Sequence, residues 1–137
     1  MTPGEAEQAR HEIRRAEEAL REARVLLDAA AREGVANRVY YAAFHAARAA
    51  LTVRGLHAKT HSGQISLFEQ TFGPAPTLSR LLDLRARADY ALEDFAEPVE
   101  RLEATLAEAQ AFLTHCRRIV SEATARDADE PDPPPDV

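Results

Sequence analysis

The chain contains one cysteine, Cys116, and no tryptophan. A lone thiol excludes an internal disulfide and suits a reducing compartment. Glycine is scarce, with five in 137 residues, and the eight prolines fall almost entirely near element ends or in the last residues. Regular structure is therefore seldom interrupted. No apolar run approaches the roughly 20 residues that a membrane span requires. Met1 to Glu5 does not open a signal peptide, so the expectation is a cytoplasmic protein with no membrane partner. Two-residue alternation, internal repeats and a glycine-rich phosphate loop are all missing, which argues against a sheet and against the common nucleotide-binding folds.

Alanine, leucine, glutamate and arginine make up most of the remainder, a helix-forming composition. A chain of this length can bury one core without metal or disulfide staples. The prediction is an all-α, up-and-down antiparallel helical bundle of four long helices plus one short helix. It occupies residues 1–126, followed by a disordered acidic, Pro-rich tail over 127–137.

The net charge of −6 is unevenly spread. Asp127, Asp129, Glu130, Asp132 and Asp136 supply most of it and leave the rest near neutral. Between Gly34 and Phe68 there is no Asp or Glu, while Arg38, Arg48, Arg54 and Lys59 lie there with His45, His57 and His61. Such a window predicts a local positive field able to attract a polyanion. A packed central helix with no room for carboxylates would give the same composition.

Thr2-Pro3-Gly4-Glu5 reads as a helix start, with Thr2 as cap and Glu5 three residues on. Ile13, Ala16, Leu20, Ala23, Leu27 and Ala30 form the seam of the first helix, Arg14, Arg15, Glu17, Glu18, Arg21 and Glu22 its solvated face, and Gly34 its end. The second helix closes at Gly55. Thr60 or Ser62 caps the short third helix, and Thr77 or Ser79 opens the fourth. Pro98 suits the first turn of the last helix, whose seam of Val99, Leu102, Leu106, Ala109, Leu113, Cys116 and Val120 runs to about Ala125.

The second helix carries the chemistry. At 100° per residue, Tyr40, Phe44, Ala47 and Leu51 make an apolar seam, and Arg38, Tyr41, His45, Arg48 and Thr52 make a second stripe beside it. Ala42, Ala46 and Ala49 flank that stripe with little bulk, which would let another backbone or a substrate approach. Arg38 and His45 are seven residues apart, hence on nearly one face but separated by about 10.5 Å along the axis. A flexible guanidinium can close part of that gap within one chain, or a symmetric pair of chains can place the Arg of one near the His of the other. Imidazole can move the proton of a ribose 2′-OH or of a leaving oxygen. A guanidinium can bind the phosphoryl oxygens as their charge grows. Tyr41 could orient that histidine or a phosphate, or stack on a base. Spacing of this kind is also met by surface residues and by packing contacts.

The string from Asn37 to Arg48, NRVYYAAFHAAR, resembles the signature of prokaryotic HEPN-domain proteins, in which Arg and His are separated by four to six residues. Gly55-Leu56 with Lys59-Thr60-His61-Ser62-Gly63, and Leu84 to Tyr90, resemble further segments of that family, so the likeness spans about residues 15 to 120. The resemblance implies a helical bundle, usually a homodimer, that often serves as the toxin of a toxin–antitoxin pair beside a minimal nucleotidyltransferase antitoxin. Active members are metal-independent endoribonucleases whose motif Arg and His line a cleft, which carries over to Arg38 and His45 acting on RNA. Tyr41, Arg48, Lys59 and His61 are the expected substrate contacts, with no metal and no cofactor. The alternative within the family is an inactive subunit that holds a nucleotide or its nucleotidyltransferase partner. Val39 stands where a polar residue often follows the Arg. Ala47 stands where some toxins of this kind carry a tyrosine that the antitoxin adenylylates. Silencing by that route would need Tyr40, Tyr41 or Tyr90 instead.

Other groups read as structural. His57 and His61 have a spacing that can bind zinc on a helix, but they straddle a loop-to-helix boundary with Lys59 between them. Cys116 sits in an apolar seam as a buried thiol. Asp89 and Tyr90, after Arg85 and Arg87, suggest an inter-helix ion pair and hydrogen bond.

Overall fold

The computed structural model describes residues 1–129 and contains five helices, with no strand among those residues. They are α1 (Pro3–Asp28), α2 (Arg32–Thr52), α3 (His61–Phe72), α4 (Pro76–Asp89) and α5 (Val99–Asp129). The fold is the all-α bundle that the sequence predicts. Helix α2 lies at its centre, packed most extensively on α1, then on α5 and α4, with α3 over one end. Twelve of its 21 residues are buried, seven of them alanines, and small side chains of this kind let neighbouring helix backbones come close.

Local chemistry sets the helix ends. Thr2 and Glu5 form a reciprocal capping box, each side chain accepting a hydrogen bond from the other's backbone N–H. Helix α1 stops at Asp28, well before Gly34. Ala30 takes a left-handed φ of 57°, its N–H donates to Leu27 O, and the Ala31 N–H donates to Leu26 O. These are the two hydrogen bonds of a Schellman turn, made here without glycine. Gly34 serves a different purpose inside the first turn of α2, where a Cβ would meet Leu26 Cδ1 at 2.9 Å. Its missing side chain allows α1 and α2 to approach.

The end of α2 does use glycine: Gly55 has φ +70° beside the Leu56 N–H to Leu51 O bond. Thr60 caps α3, accepting from Gly63 N–H at 2.9 Å. Helix α4 begins at Pro76 after Ala75, ahead of both expected caps, because proline's fixed φ suits a first helical position. Helix α5 begins at Val99 and extends past Ala125 to Asp129. From residue 130 onward, the expected tail lies outside the described residues.

Candidate active site

Helix α2 presents Arg38, Tyr41 and His45 to a cleft of about 430 Å³, completed by Arg15, Glu18, Ala19 and Glu22 from α1. The motif arginine and histidine therefore line one opening within a single chain. The Arg38 guanidinium carbon is 5.4 Å from the Tyr41 ring centre, and the Tyr41 and His45 rings are 6.3 Å apart. Tyr41 thus links the two along the helix, spanning part of the axial gap.

His45 Nδ1 lies 2.6 Å from Glu12 Oε2. The Glu12 side chain is only 3% exposed, and its other oxygen accepts from Gln8 Nε2 at 2.8 Å. Burial pushes this carboxyl's pKa up, but the His45 hydrogen bond and the charges of His45, Arg48 and Arg15 outweigh it, and the net shift is downward. Glu12 is therefore an ionised acceptor that fixes the hydrogen of His45 on Nδ1 and leaves Nε2 as the ring's free basic nitrogen. Nε2 makes no hydrogen bond among the described residues, and the side chain keeps 14% exposure at the cleft.

Glu12 escaped sequence analysis because Ile13 and Ala16 made its helix read as an apolar seam beside a solvated face. The signal was present: Glu12 is one turn from Ala9 and from Ala16, so a carboxylate falls in register with buried alanines. An acid at such a position needs a partner.

Arg38 donates through Nε and Nη2 to Asn37 Oδ1 at 2.9 and 2.7 Å, and its Nη1 is 3.8 Å from Glu22 Oε2. The acid-free window is thus free of acid only along the chain. In space α1 brings Glu12, Glu18 and Glu22 to it, so the expected positive field is partly neutralised. On the α1 face expected to be solvated, Arg14, Arg15, Glu18, Arg21 and Glu22 are exposed as expected, while Glu22 also approaches Arg38 and half-buried Glu17 accepts from Arg117 Nη2 of α5 at 3.1 Å.

Of the expected substrate contacts, only Tyr41 lines the cleft. Arg48 is exposed, with its guanidinium carbon 6.0 Å from the Phe44 ring centre. Lys59 is exposed on the connection between α2 and α3. His61 opens α3 and stacks on Phe44 and Tyr40, with centroids 4.8 and 5.5 Å away. Its Nδ1 is hydrogen-bonded to the Tyr40 hydroxyl. Burial, then the nearby Arg85 charge, lowers the His61 pKa, while burial raises Tyr40 to about 12, so this is a bond between two neutral groups.

Several expectations are corrected. Thr52 is 1% exposed and leaves the charged stripe; its hydroxyl donates to Arg48 O at 2.7 Å. Ala42, Ala46 and Ala49 have no exposed surface, because the subunit's own helices cover them, and a second chain cannot use them. Asp89 pairs with Arg85 one turn earlier on the same helix, at 3.3 Å, so the ion pair is within α4. Among the tyrosines that could replace an acceptor at Ala47, Tyr40 is buried, Tyr41 is half-buried and Tyr90 is 82% exposed.

Among the described residues no three His, Cys, Asp or Glu side chains converge on a point that could hold a metal ion. His57 instead lies 4.0 Å from Glu5. Cys116 is fully buried, and burial raises its pKa. No helix among the described residues is long and apolar enough to cross a membrane.

Comparison with known proteins covers both the bundle and the cleft. A UPF0332 protein of Gloeobacter violaceus is 43% identical over 56% of this chain and 67% of its own. A protein of Methanocaldococcus jannaschii named "Putative toxin" is 32% identical over 78% of this chain and 84% of its own. A UPF0332 protein of Thermotoga maritima is 29% identical over 80% and 88%. The model of the HEPN domain matches residues 9–125, a span that includes Glu12, Arg38 and His45. The chain belongs to the HEPN-domain family.

Proposed function

We propose that the protein is a metal-independent endoribonuclease acting as the toxin of a toxin–antitoxin pair, with Arg38 and His45 as its catalytic residues. The observation that carries this reading is a buried Glu12 carboxylate bonded to His45, which shares a cleft with Arg38. A buried carboxylate on Nδ1 orients the ring and stabilises the imidazolium form, which is what a general base requires of its neighbour. His45 Nε2 takes the proton of a ribose 2′-OH, and the 2′-oxygen attacks the adjacent phosphorus. The bond to the 5′-oxygen breaks, and that oxygen takes a proton from water. The products are a 2′,3′-cyclic phosphate and a 5′-hydroxyl end. Arg38 releases Asn37 Oδ1 and binds the phosphoryl oxygens as their charge develops.

The toxin name of the Methanocaldococcus jannaschii relative supports the biological role. A minimal nucleotidyltransferase antitoxin and a homodimeric assembly belong to the same reading. With the alanine stripe covered, the dimer would use the open side of the cleft, bringing two sites together.

The test is cleavage of unstructured RNA by the purified protein in excess chelator. Wild type is expected to cut, while Arg38→Ala and His45→Ala each lose about 10²- to 10³-fold in rate. Undiminished cleavage by His45→Ala, or complete loss of wild-type activity in chelator, overturns the reading.

A further inference from the structure

Arg85 of α4 lies beyond the cleft, against its tyrosine. Its guanidinium carbon is 5.0 Å from the Tyr41 ring centre and 5.2 Å from that of Tyr40. Tyr41 is therefore flanked by two guanidiniums, Arg38 from its own helix and Arg85 from another. The rings of Tyr41, Phe44, His45 and His61 continue as one aromatic surface, with neighbouring centroids 4.8 to 6.4 Å apart, and each is only partly buried.

What sets Arg85 apart among the described residues is that its guanidinium donates no hydrogen bond while half-buried, whereas the other arginines that donate none are exposed. Arg24, Arg38, Arg80, Arg87 and Arg117 all donate hydrogen bonds to side-chain oxygens. Arg85 donates none among the described residues, although its side chain is only 26% exposed. Its Nε is buried without a partner, because Asp89 Oδ2, 3.3 Å away, lies off the N–H direction. A half-buried guanidinium positioned by two ring faces, whose charge is met by Asp89 alone and whose N–H groups donate no hydrogen bond, can take a further anion. Positively charged grooves lined by aromatic rings are how proteins hold a single strand, with a phosphate at each cation.

We propose that Arg85 binds the phosphate next to the scissile one on a single-stranded RNA that crosses Tyr41 from one guanidinium to the other. This deepens the ribonuclease reading and rests on it for the scissile position at Arg38.

The experiment measures the affinity of the full-length protein for 2′-deoxy oligonucleotides, which cannot be cut by 2′-OH attack. Affinity is read as a function of length and salt for wild type, Arg85→Gln and Arg85→Lys, with thermal unfolding as a check on folding. Wild type should gain about 10-fold in affinity when a second phosphate is added. Arg85→Gln should lose that gain and about one unit of salt slope. Arg85→Lys should keep the slope, and it tests the proposal even if the glutamine variant is poorly folded. On cleavable RNA, Arg85→Gln should raise KM with kcat nearly unchanged. Equal length dependence and salt slope in wild type and Arg85→Gln would overturn the subsite, as would a fall in kcat alone. An Arg85-dependent slope in a protein that cuts no RNA would leave the subsite standing and remove the nuclease.

Discussion

Glu12 Oε2 and His45 Nδ1 are 2.6 Å apart across the α1–α2 interface, and the carboxylate is almost wholly enclosed. Replacing Glu12 by Gln keeps the volume but presents either an amide N–H or a neutral oxygen to the ring. The imidazolium formed during catalysis then loses its counter-charge. Glu12→Gln is expected to lower kcat by roughly 10- to 10²-fold, within the range of general-base contributions, with KM little changed. Glu12→Ala also leaves a half-buried N–H unpaired and should cost about 1–3 kcal/mol of stability. Single-turnover cleavage and urea unfolding measure the two effects separately. A Glu12→Gln enzyme with wild-type kcat would show that the carboxylate is only a packing contact.

Stability should fall in acid in two stages, and the sign follows from two shifts in the same direction. The His61 pKa is lowered from its ordinary 6.5, first by burial and then by Arg85. Below pH 6.5 the unfolded chain therefore binds a proton that the folded chain refuses, and stability drops until the folded pKa is passed. The Glu12 pKa is lowered from 4.5 against the pull of its own burial, through the His45 bond and nearby cations. That contribution is present above about pH 4.5 and is lost as pH falls through the folded value. Urea midpoints measured from pH 7.5 to 3.5 should decline at both stages. In His61→Gln the upper stage disappears, and in Glu12→Gln the lower one flattens.

Most of the bundle was legible because its signals are local. Helical periodicity, the Thr2 and Thr60 caps and the Gly55 stop each depend on residues within one or two turns. Arg38, Tyr41 and His45 were legible for the same reason, since one helix carries all three. Glu12, Glu22 and Arg85 were not, because their meaning arises only when α1 and α4 close onto α2. The left-handed Ala30 was misread because glycine is the usual residue there and Gly34 stood nearby. The alanines of α2 were misread for a subtler reason. Small residues permit close approach, but the sequence does not say whether a neighbouring helix or a second chain makes it.

That ambiguity has a test at Ala46, which has no exposed surface. Neighbouring helices of the same chain cover it, so Ala46→Leu overpacks a filled interior. The expected cost is about 1–3 kcal/mol, a loss of several degrees in Tm, with no change in oligomeric state. Calorimetry and sedimentation together decide between the two uses. A variant as stable as wild type but changed in assembly would return the stripe to an intersubunit role.

At Ala30 the opposite change should stabilise. An alanine at φ 57° carries a steric cost that glycine does not, while both hydrogen bonds of the turn involve only backbone. Ala30→Gly is expected to gain about 0.5–1 kcal/mol after the added chain entropy is deducted. The readout is the urea midpoint at constant m-value.

Glu22 gives the last prediction, because it opposes the proposed chemistry. Its carboxylate lies 3.8 Å from Arg38 Nη1, with the Glu22 side chain half exposed, so the ion pair contributes little to stability. The same negative charge stands beside the place where a scissile phosphate would bind, and it competes for the guanidinium. Glu22→Gln should leave Tm within a degree or two of wild type and raise kcat/KM for RNA several-fold at low salt. The advantage should shrink as ionic strength rises, since screening already weakens the native charge. Cleavage rates at 20 and 300 mM salt test both parts. An unchanged rate at low salt would mean that RNA approaches Arg38 from a side that Glu22 does not face.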